Sequence, residues 1–406
     1  MDEHKNKLKR SLSLPMITFY GLGNILGAGI YVLIGKVAGE AGYFAPLAFI
    51  LASVIAAISA LTYAELSARY PVSAGVAVFI HEGFNIKHLS MLVGVMITLA
   101  GIVSAAALAH GFAGYVQVFI DLPSWLIILL ILSALGTLAI WGINESVAVA
   151  SLFTLLEIAG LLVIIYVGAD RIPDITDVLH QQQVSIGVIP WISVFSASFL
   201  AFYAYIGFED MVNVAEEVKD PQRNMPRAII LCVVLSSILY AAVTVVAILV
   251  IPPEQLSQSD APLADVYQQA TGRTPLLISF IGIFAVINGS LIQIIMASRL
   301  IYGMARRQWL PKILSHVHGK TQTPVNSTLV VTFLVLLFAL ALNLVALAEL
   351  TSYLILTVFS LVNLSLIRIK RKHSQPAGVR VFPKWLPVAG FVSAFTFLLI
   401  EISSKF

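Results

Sequence analysis

The chain of 406 residues is 59% hydrophobic and only 11% charged, with 24 Lys and Arg against 21 Asp and Glu and a mean hydropathy of +0.94. Soluble domains average about 45–50% apolar and about 25% charged residues, so this composition excludes a soluble globular protein and indicates a polytopic membrane protein. The one cysteine, Cys232, lies inside an apolar run, which excludes a disulfide framework and a metal centre of Cys/His spacing.

Apolar stretches long enough to cross a bilayer follow one another along the whole chain. A crossing helix needs about 20 predominantly apolar residues. The first stretch is not a cleaved signal peptide, because it is too long, lacks a small-residue cleavage site and leads at once into a second stretch. We predict eleven spans, at roughly 14–37, 43–68, 90–119, 124–143, 147–168, 190–214, 227–251, 275–304, 326–346, 349–368 and 386–403.

The connections between these spans are short, which predicts a single membrane domain. We expect a cytoplasmic tail over 1–13, a ten-span core over 14–370, and a cytoplasmic loop with the eleventh span over 371–406.

Basic residues predict the orientation of the chain in the cell membrane. If the N-terminus is cytoplasmic, nearly all of the 24 Lys and Arg lie in inner loops or at inner helix ends, which is the bias of cytoplasmic loops. An odd number of spans then places the C-terminus outside. The exceptions are Lys36, Arg171, Arg273 and Lys405.

Four glycines within nine residues mark the first span, in the stretch GLGNILGAGIYVLIG. Gly21, Gly23 and Gly27 approach a dinucleotide fingerprint, but that motif needs a preceding strand and a soluble βαβ unit. Close helix packing on Gly23 and Gly27 is a second explanation. Each glycine costs about 1 kcal/mol relative to alanine in a helix, and broken backbone in lipid must line a cavity or be buried in protein. We therefore predict an interrupted helix.

The sixth span, WISVFSASFLAFYAYIGFEDMVNVAEEVKDP, carries a second interruption. It is apolar from Trp191 to Gly207 and then turns acidic at Glu209 and Asp210, still at membrane depth. The two interruptions lie five spans apart, at the same place in each half of a ten-span core, which is typical of an inverted-repeat transporter with its site between discontinuous helices. Half-helix N-termini attract an anion and free carbonyls a cation, and an amino acid presents both charges.

Three motifs resemble the amino acid–polyamine–organocation superfamily. GAGIYVLIG with LTYAELSARYPVSAG is similar to its opening spans, FYAYIGFEDMVNVAEEVKDPQRNMPRAI resembles the sixth span of its cationic-amino-acid-transporter branch, and NGSLIQIIMASRLIYGMARRQWLP resembles the eighth. The resemblance covers about residues 14–325. It implies an all-α polytopic protein with the five-plus-five inverted-repeat fold of leucine-transporter type and discontinuous first and sixth spans.

The resemblance also implies roles for matching positions. Backbone at the first interruption would meet the substrate carboxylate, and carbonyls at both interruptions would meet its ammonium group. Tyr203 or Tyr205 would wall or gate the pocket. The carboxylate positions are Gly27, Ala28 and Gly29; the ammonium positions are Ile25, Tyr203 and Ile206; and Gly207 matches the glycine of the sixth-span interruption.

Glu157 is the candidate for energy coupling. It lies about ten residues into the fifth span, so at about 1.5 Å per residue it is about 15 Å deep, near the bilayer midplane. In related proton-coupled transporters a lysine stands near this position, close to carbonyls that match Gly23 and Leu26. Because burial disfavours the charged form of a carboxyl, Glu157 could bind and release a proton. A permanently protonated, hydrogen-bonded Glu157 is the alternative, with Asn288, Ser290 and Gln293 as potential partners.

These features predict a secondary active transporter for amino acids, with proton-coupled uptake of neutral amino acids as the main hypothesis. An amine or polyamine carrier, an amino acid exchanger and a transporter-like nutrient sensor are the alternatives. A cationic substrate is disfavoured because Glu209 is the only acid expected near the pocket. The partners expected are an amino acid, protons and the lipid bilayer, with no nucleic acid, no metal and no cofactor. The sequence contains neither a channel filter nor a clustered catalytic arrangement, so we expect no enzyme.

Overall fold

The computed structural model describes residues 10, 12–27, 29–72, 75–141, 147–181, 189–319, 321, 323–376 and 378–404. Within these ranges the chain is almost entirely helical, with one isolated bridge between Leu12 and Val218 and no strand. The α-helices in chain order are α1 (Leu14–Leu26), α2 (Gly29–Ala41), α3 (Ala45–Arg69), α4 (Gly75–Phe84), α5 (Lys87–Gln117), α6 (Ser124–Trp141), α7 (Val147–Gly168), α8 (Ile175–Gln181), α9 (Trp191–Phe202), α10 (Pro221–Val250), α11 (Pro253–Leu256), α12 (Pro262–Thr271), α13 (Leu276–Arg306), α14 (Val325–Ala341), α15 (Leu344–Lys372) and α16 (Trp385–Ser404).

Nine stretches of the described chain are long and apolar enough to cross a membrane. The first, Leu14–Arg69, has 56 residues, more than twice the length of about 20 that one crossing needs, and it contains α1, α2 and α3. Helix α14 has 17 residues and is also apolar. Counting α1 with α2 as one crossing, α3 as another and α14 as a short one gives the eleven spans predicted from the sequence.

Both predicted interruptions are present. Helix α1 ends at Leu26, where the Gly27 N–H still donates to Gly23 O at 3.2 Å, and α2 begins at Gly29. The sixth span passes from α9 into a 3-10 turn, and Gly207 then has a φ of +131°, which side chains rarely adopt. A 3-10 segment, Phe208–Glu217, continues the span.

The interrupted helices lie at the centre of the bundle. Helix α1 packs against α7 and α10, and α2 packs against α9, while α5 contacts α13 and α15 around them. The start of the first span is joined to the end of the sixth by two backbone hydrogen bonds. Leu12 N–H donates to Glu217 O at 3.0 Å, and Lys219 N–H donates to Leu12 O at 2.9 Å. Both interrupted spans are therefore held together at one end as well as in the middle.

A buried ion triad ties the last part of the chain to the core. Glu65 at the end of α3 pairs with Arg69 at 2.7 Å and with Lys370 of α15 at 2.8 Å, and all three side chains are at most 4% exposed. The Phe382 N–H donates to Glu65 Oε2 at 2.8 Å, and Lys370 Nζ donates to Phe382 O at 2.6 Å. The carboxyl thus fixes the loop that leads into α16.

Replacement of Glu65 tests this account of the triad. Glu65→Gln leaves two cationic side chains buried without their counter-ion, so we expect a loss of about 3–5 kcal/mol in the free energy of unfolding. Glu40→Gln changes the same residue type at an exposed position of α2 and should stay within about 0.5 kcal/mol of the unmodified protein. Denaturant unfolding of the purified protein measures both. Equal stability of the two variants would contradict the assigned role.

Candidate functional site

The two interruptions touch each other. The Cα of Gly29 faces the backbone and Cβ of Ala204 so closely that a Cβ on Gly29 would collide with them. At Gly207 a Cβ would lie 2.7 Å from Asn24 O. The end of α1 and the start of α2 therefore lie directly against the unwound part of the sixth span, as the sequence predicts for a site between discontinuous helices.

Tyr240 of α10 joins the two interruptions from one side. Its hydroxyl lies 2.6 Å from Ile25 O and 2.9 Å from Ala204 O, and the residue is fully buried. Sequence reasoning missed this residue. A tyrosine in the middle of an otherwise apolar span was the available signal, because a buried hydroxyl usually finds a partner.

The predicted ammonium acceptors are partly engaged by the protein. Ile25 O receives the Tyr240 hydroxyl, and Tyr203 O accepts the Ile206 N–H at 3.1 Å. A carbonyl has two lone pairs, so either can still accept a second donor. Ile206 is extended, with φ −66° and ψ 138°. Ala28, predicted to meet the substrate carboxylate, lies outside the described residues.

The two tyrosines of the sixth span point to different neighbours. The Tyr203 hydroxyl lies 3.0 Å from Ser104 Oγ and 3.2 Å from Ser104 O on α5. The Tyr205 hydroxyl donates to Phe49 O on α3 at 3.1 Å. Tyr203 therefore connects the interruption to α5, whereas Tyr205 anchors it to α3.

Glu157 lies against the interruption in α1. Its side chain is buried, and Oε1 is 3.4 Å from the position that a Cβ on Gly27 would occupy. Asn288 of α13 is its neighbour, yet neither carboxyl oxygen, nor Asn288 Nδ2, has a hydrogen-bond partner among the described residues. The Glu157 backbone carbonyl accepts the Tyr31 hydroxyl of α2 at 2.6 Å. An unpaired carboxyl thus sits beside the predicted substrate contacts.

The other predicted coupling residues have separate surroundings. Gly23, one turn before Gly27, faces Thr154 of α7, and a Cβ there would lie 3.8 Å from Asn288 Nδ2. Leu26, the last residue of α1, is fully buried. Ser290 is also buried, and its hydroxyl has no partner in the described chain. Glu157 and Asn288 therefore approach the same glycine face of α1 from two helices.

A cavity of about 720 Å³, here called the vestibule, lies along the 3-10 segment that continues the sixth span after Gly207. Glu209 and Asp210 line it, and so do Arg299 and Arg307 of the segment that positive charge predicts to be cytoplasmic. Glu209 and Asp210 also border a second cavity of only about 10 Å³ that reaches Ile206. Asp210 lines the same walls as Glu209, so a second acid accompanies the one that the sequence singled out.

The opposite face of the bundle is covered by α11 and α12. Lys36 Nζ of α2 donates to Ser257 O at 2.6 Å, and Gly35 and Gly39 of the same helix approach Leu256 and Ser257 closely. The segment between the seventh and eighth spans thus packs onto α2.

The sequence matches the family described as amino acid permease over residues 12–403. The chain belongs to the amino acid permease family. It is a multi-pass membrane transporter and not an enzyme.

Similar proteins include several transporters. The branched-chain amino acid permease BcaP of Bacillus subtilis is 29% identical, with 93% of this permease and 84% of the relative covered. The methylthioribose transporter of the same organism is 30% identical, covering 95% and 87%. The chloroplastic cationic amino acid transporter 9 of Arabidopsis thaliana is 31% identical, covering 77% and 58%.

A solved structure shares the fold. The manganese transporter of Eremococcus coleocola, crystallised as a mutant, aligns with a TM-score of 0.63 at 14% identity, covering 96% of this permease and 86% of that chain. At this identity the likeness concerns the fold alone. The all-α inverted-repeat fold class predicted from the sequence is confirmed.

The contact at Gly29 gives a direct test of the site. Gly29→Ala would push a methyl group into the backbone of Ala204 and separate the two interruptions, so we expect amino acid binding to weaken at least tenfold, about 1.4 kcal/mol. Gly319→Ala, in the connection between α13 and α14, places the same methyl group in open space away from the vestibule and should leave affinity unchanged. Ligand-dependent thermal stabilisation measures both, with size-exclusion profiles to verify folding. Unchanged affinity in a folded Gly29→Ala variant would remove this site assignment.

Proposed function

We propose that this permease carries out proton-coupled uptake of neutral amino acids across the cell membrane. The observation that carries the proposal is the direct contact of two interrupted helices beside an unpaired buried carboxyl, Glu157. The contact concentrates free backbone groups at one point of the membrane interior, and the carboxyl adds a group that can hold a proton there.

The substrate would bind across the two interruptions. The first N–H groups of α2, beginning at Gly29, have no helical partners and lie at the positive end of the helix dipole, which suits a carboxylate. The last carbonyls of α1, including Ile25, and those of the sixth-span interruption suit an ammonium group. The Asn24 side-chain Nδ2 has no partner in the described chain, which leaves one more donor at the contact.

Glu157 would carry the proton. In its charged form a carboxyl buried among apolar helices is unfavourable unless a cation or donors surround it. Asn288 stands next to it, and an amide can donate to a charged carboxyl or accept from a protonated one. The carboxyl would therefore be protonated with substrate bound and release its proton when the cavity opens to the cytoplasm.

The neutral substrate class follows from the site and from one relative. The relative named as a branched-chain amino acid permease aligns along almost the whole chain, and the two interruptions by themselves neutralise a zwitterion. The relatives named as cationic amino acid transporters and the second acid, Asp210, favour a cationic substrate as the alternative.

Ligand analogues test the proposed binding mode. Because each interruption meets one charge of the zwitterion, decarboxylated and amino-blocked analogues should bind at least tenfold more weakly than the parent amino acid, about 1.4 kcal/mol. A thermal-shift panel of the twenty amino acids and common polyamines gives the comparison. Polyamines that bind as tightly as amino acids would support the amine carrier instead.

Replacement of Glu157 tests the proton role. Glu157→Gln mimics the protonated acid at nearly the same shape, so the variant should bind and exchange substrate but lose accumulation driven by a pH gradient. In the unmodified permease, uptake into proteoliposomes should rise as the outside is acidified and should not change when potassium replaces sodium. Glu40→Gln, at an exposed position, is the matched control and should accumulate substrate normally.

Two results would contradict this assignment. If Glu157→Gln accumulates substrate like the unmodified permease, or if uptake requires sodium, the proton role of Glu157 is wrong and packing explains the residue. Binding without any uptake or exchange would instead identify a transporter-like sensor.

A further inference from the structure

Two adjacent acids in the vestibule have no counter-ion. Glu209 and Asp210 are each 4% exposed, and neither belongs to an ion pair within the described chain, where the recorded pairs both involve Glu65. The protein engages one oxygen of each, since Gly207 N–H donates to Glu209 Oε2 at 2.8 Å and Gln293 Nε2 donates to Asp210 Oδ2 at 3.2 Å. Both residues line the cavity, so the pair is suited to a positively charged group.

Tyr63 of α3 points independently to a ligand at this place. The residue is fully buried, and its hydroxyl has no hydrogen-bond partner among the described residues. It lines the vestibule beside the two acids and lies within electrostatic range of both. A buried hydroxyl without a hydrogen-bond partner lowers the stability of the protein unless a bound ligand forms that hydrogen bond.

A basic side chain, Arg299, lies on the wall that α13 contributes to the vestibule. Gln293 and Arg299 both lie on α13, six residues apart, which places them about 9 Å apart along the helix axis. Arg299 is exposed, lines the vestibule and forms no ion pair within the described chain. Negative groups at the deep end and a positive group toward the mouth match a ligand that carries an ammonium group and a carboxylate at opposite ends of a chain.

We propose that the vestibule contains a second amino acid site, distinct from the one at the interruptions. The side-chain ammonium of an extended cationic amino acid binds between Glu209 and Asp210, within reach of the Tyr63 hydroxyl, and its α-carboxylate binds Arg299. The inference rests on the proposed function in treating the vestibule as the route of amino acids to the cytoplasm.

The small cavity keeps the two sites separate. Its volume of about 10 Å³ holds one water molecule at most, so no amino acid fits between the acids and Ile206 in this conformation. A ligand can therefore occupy the vestibule while the interruptions are empty. Such a site would respond to amino acids already in the cytoplasm.

The compound 6-aminohexanoate probes the vestibule selectively. Its charges lie at opposite ends of a six-carbon chain, so it suits charged groups about 9 Å apart but cannot place an α-amino and an α-carboxyl group on the two interruptions. Saturation-transfer NMR on the purified protein in nanodiscs measures its dissociation constant. We expect saturable binding, and at least tenfold weaker binding of 6-aminohexanamide, which lacks the carboxylate, and of N-acetyl-6-aminohexanoate, which lacks the ammonium group.

Three variants locate the site. Asp210→Asn and Arg299→Gln should each raise the dissociation constant of 6-aminohexanoate at least tenfold. Arg306→Gln removes the same charge from an exposed position of α13 that does not line the vestibule, and it should leave the constant unchanged. Arg299 is exposed, so we expect Arg299→Gln to fold even if the buried substitution Asp210→Asn prevents folding.

Either of two results would overturn the second site. The first is the absence of saturable 6-aminohexanoate binding. The second is a dissociation constant for 6-aminohexanoate that is the same in Arg299→Gln and in the unmodified protein, or a dissociation constant for 6-aminohexanamide that equals that of 6-aminohexanoate. Either equality would mean that Glu209 and Asp210 bind a cation without any contribution from a carboxylate site. Amino acid uptake is measured separately. If 6-aminohexanoate binding depends on Asp210 and Arg299 but no amino acid uptake occurs, the second site is supported and the proposed function is refuted. If uptake occurs without that binding, the proposed function is supported and the second site is refuted.

Discussion

Backbone polar groups in hydrocarbon must find partners inside the protein, and the architecture of this permease depends on that constraint. Each interrupted helix releases N–H and C=O groups at membrane depth. The protein satisfies part of them with one side chain, Tyr240, whose hydroxyl serves carbonyls of both interruptions. The remaining groups need other partners in the protein, water or a ligand. The close contact of Gly29 with Ala204 follows, because only adjacent interruptions can share one buried polar region.

Sequence patterns predicted this contact better than they predicted its surroundings. Glycine destabilises a helix relative to alanine, so the glycines of the first span and Gly207 indicated where the backbone leaves the helical conformation. Glu157 was visible for the same reason, as an acid in an apolar span. The contacts of Tyr240 and Thr154 with α1 and the position of Asn288 against its glycine face could not be predicted, because they depend on how α7, α10 and α13 rotate about their axes against α1. Periodicity carries little information on rotation where a helix is apolar on all sides.

The buried acids of the molecule fall into two chemically different groups. Glu65 has two basic partners and a backbone N–H, so its charge is fully compensated and it serves the fold. Glu157 lacks such compensation, and the pair of Glu209 and Asp210 has none from a basic side chain within the described chain. Natural proteins rarely leave a buried acid uncompensated without use, because the cost is several kcal/mol. The uncompensated acids lie beside the interruption and in the vestibule, which is where a moving ligand or proton could supply the missing charge.

The two faces of the bundle are held by interactions of different strength, and this difference bears on how the permease changes conformation. On the face of α11, closure uses Lys36, which reaches a backbone carbonyl, and two glycines one turn apart on α2 that allow close approach. Water can replace these contacts when the segment lifts away. On the other face, the Glu65 triad is buried and could not open without exposing unpaired charges. A conformational change that keeps the triad intact has to move the elements around it, among which α2 and the sixth-span interruption are in direct contact.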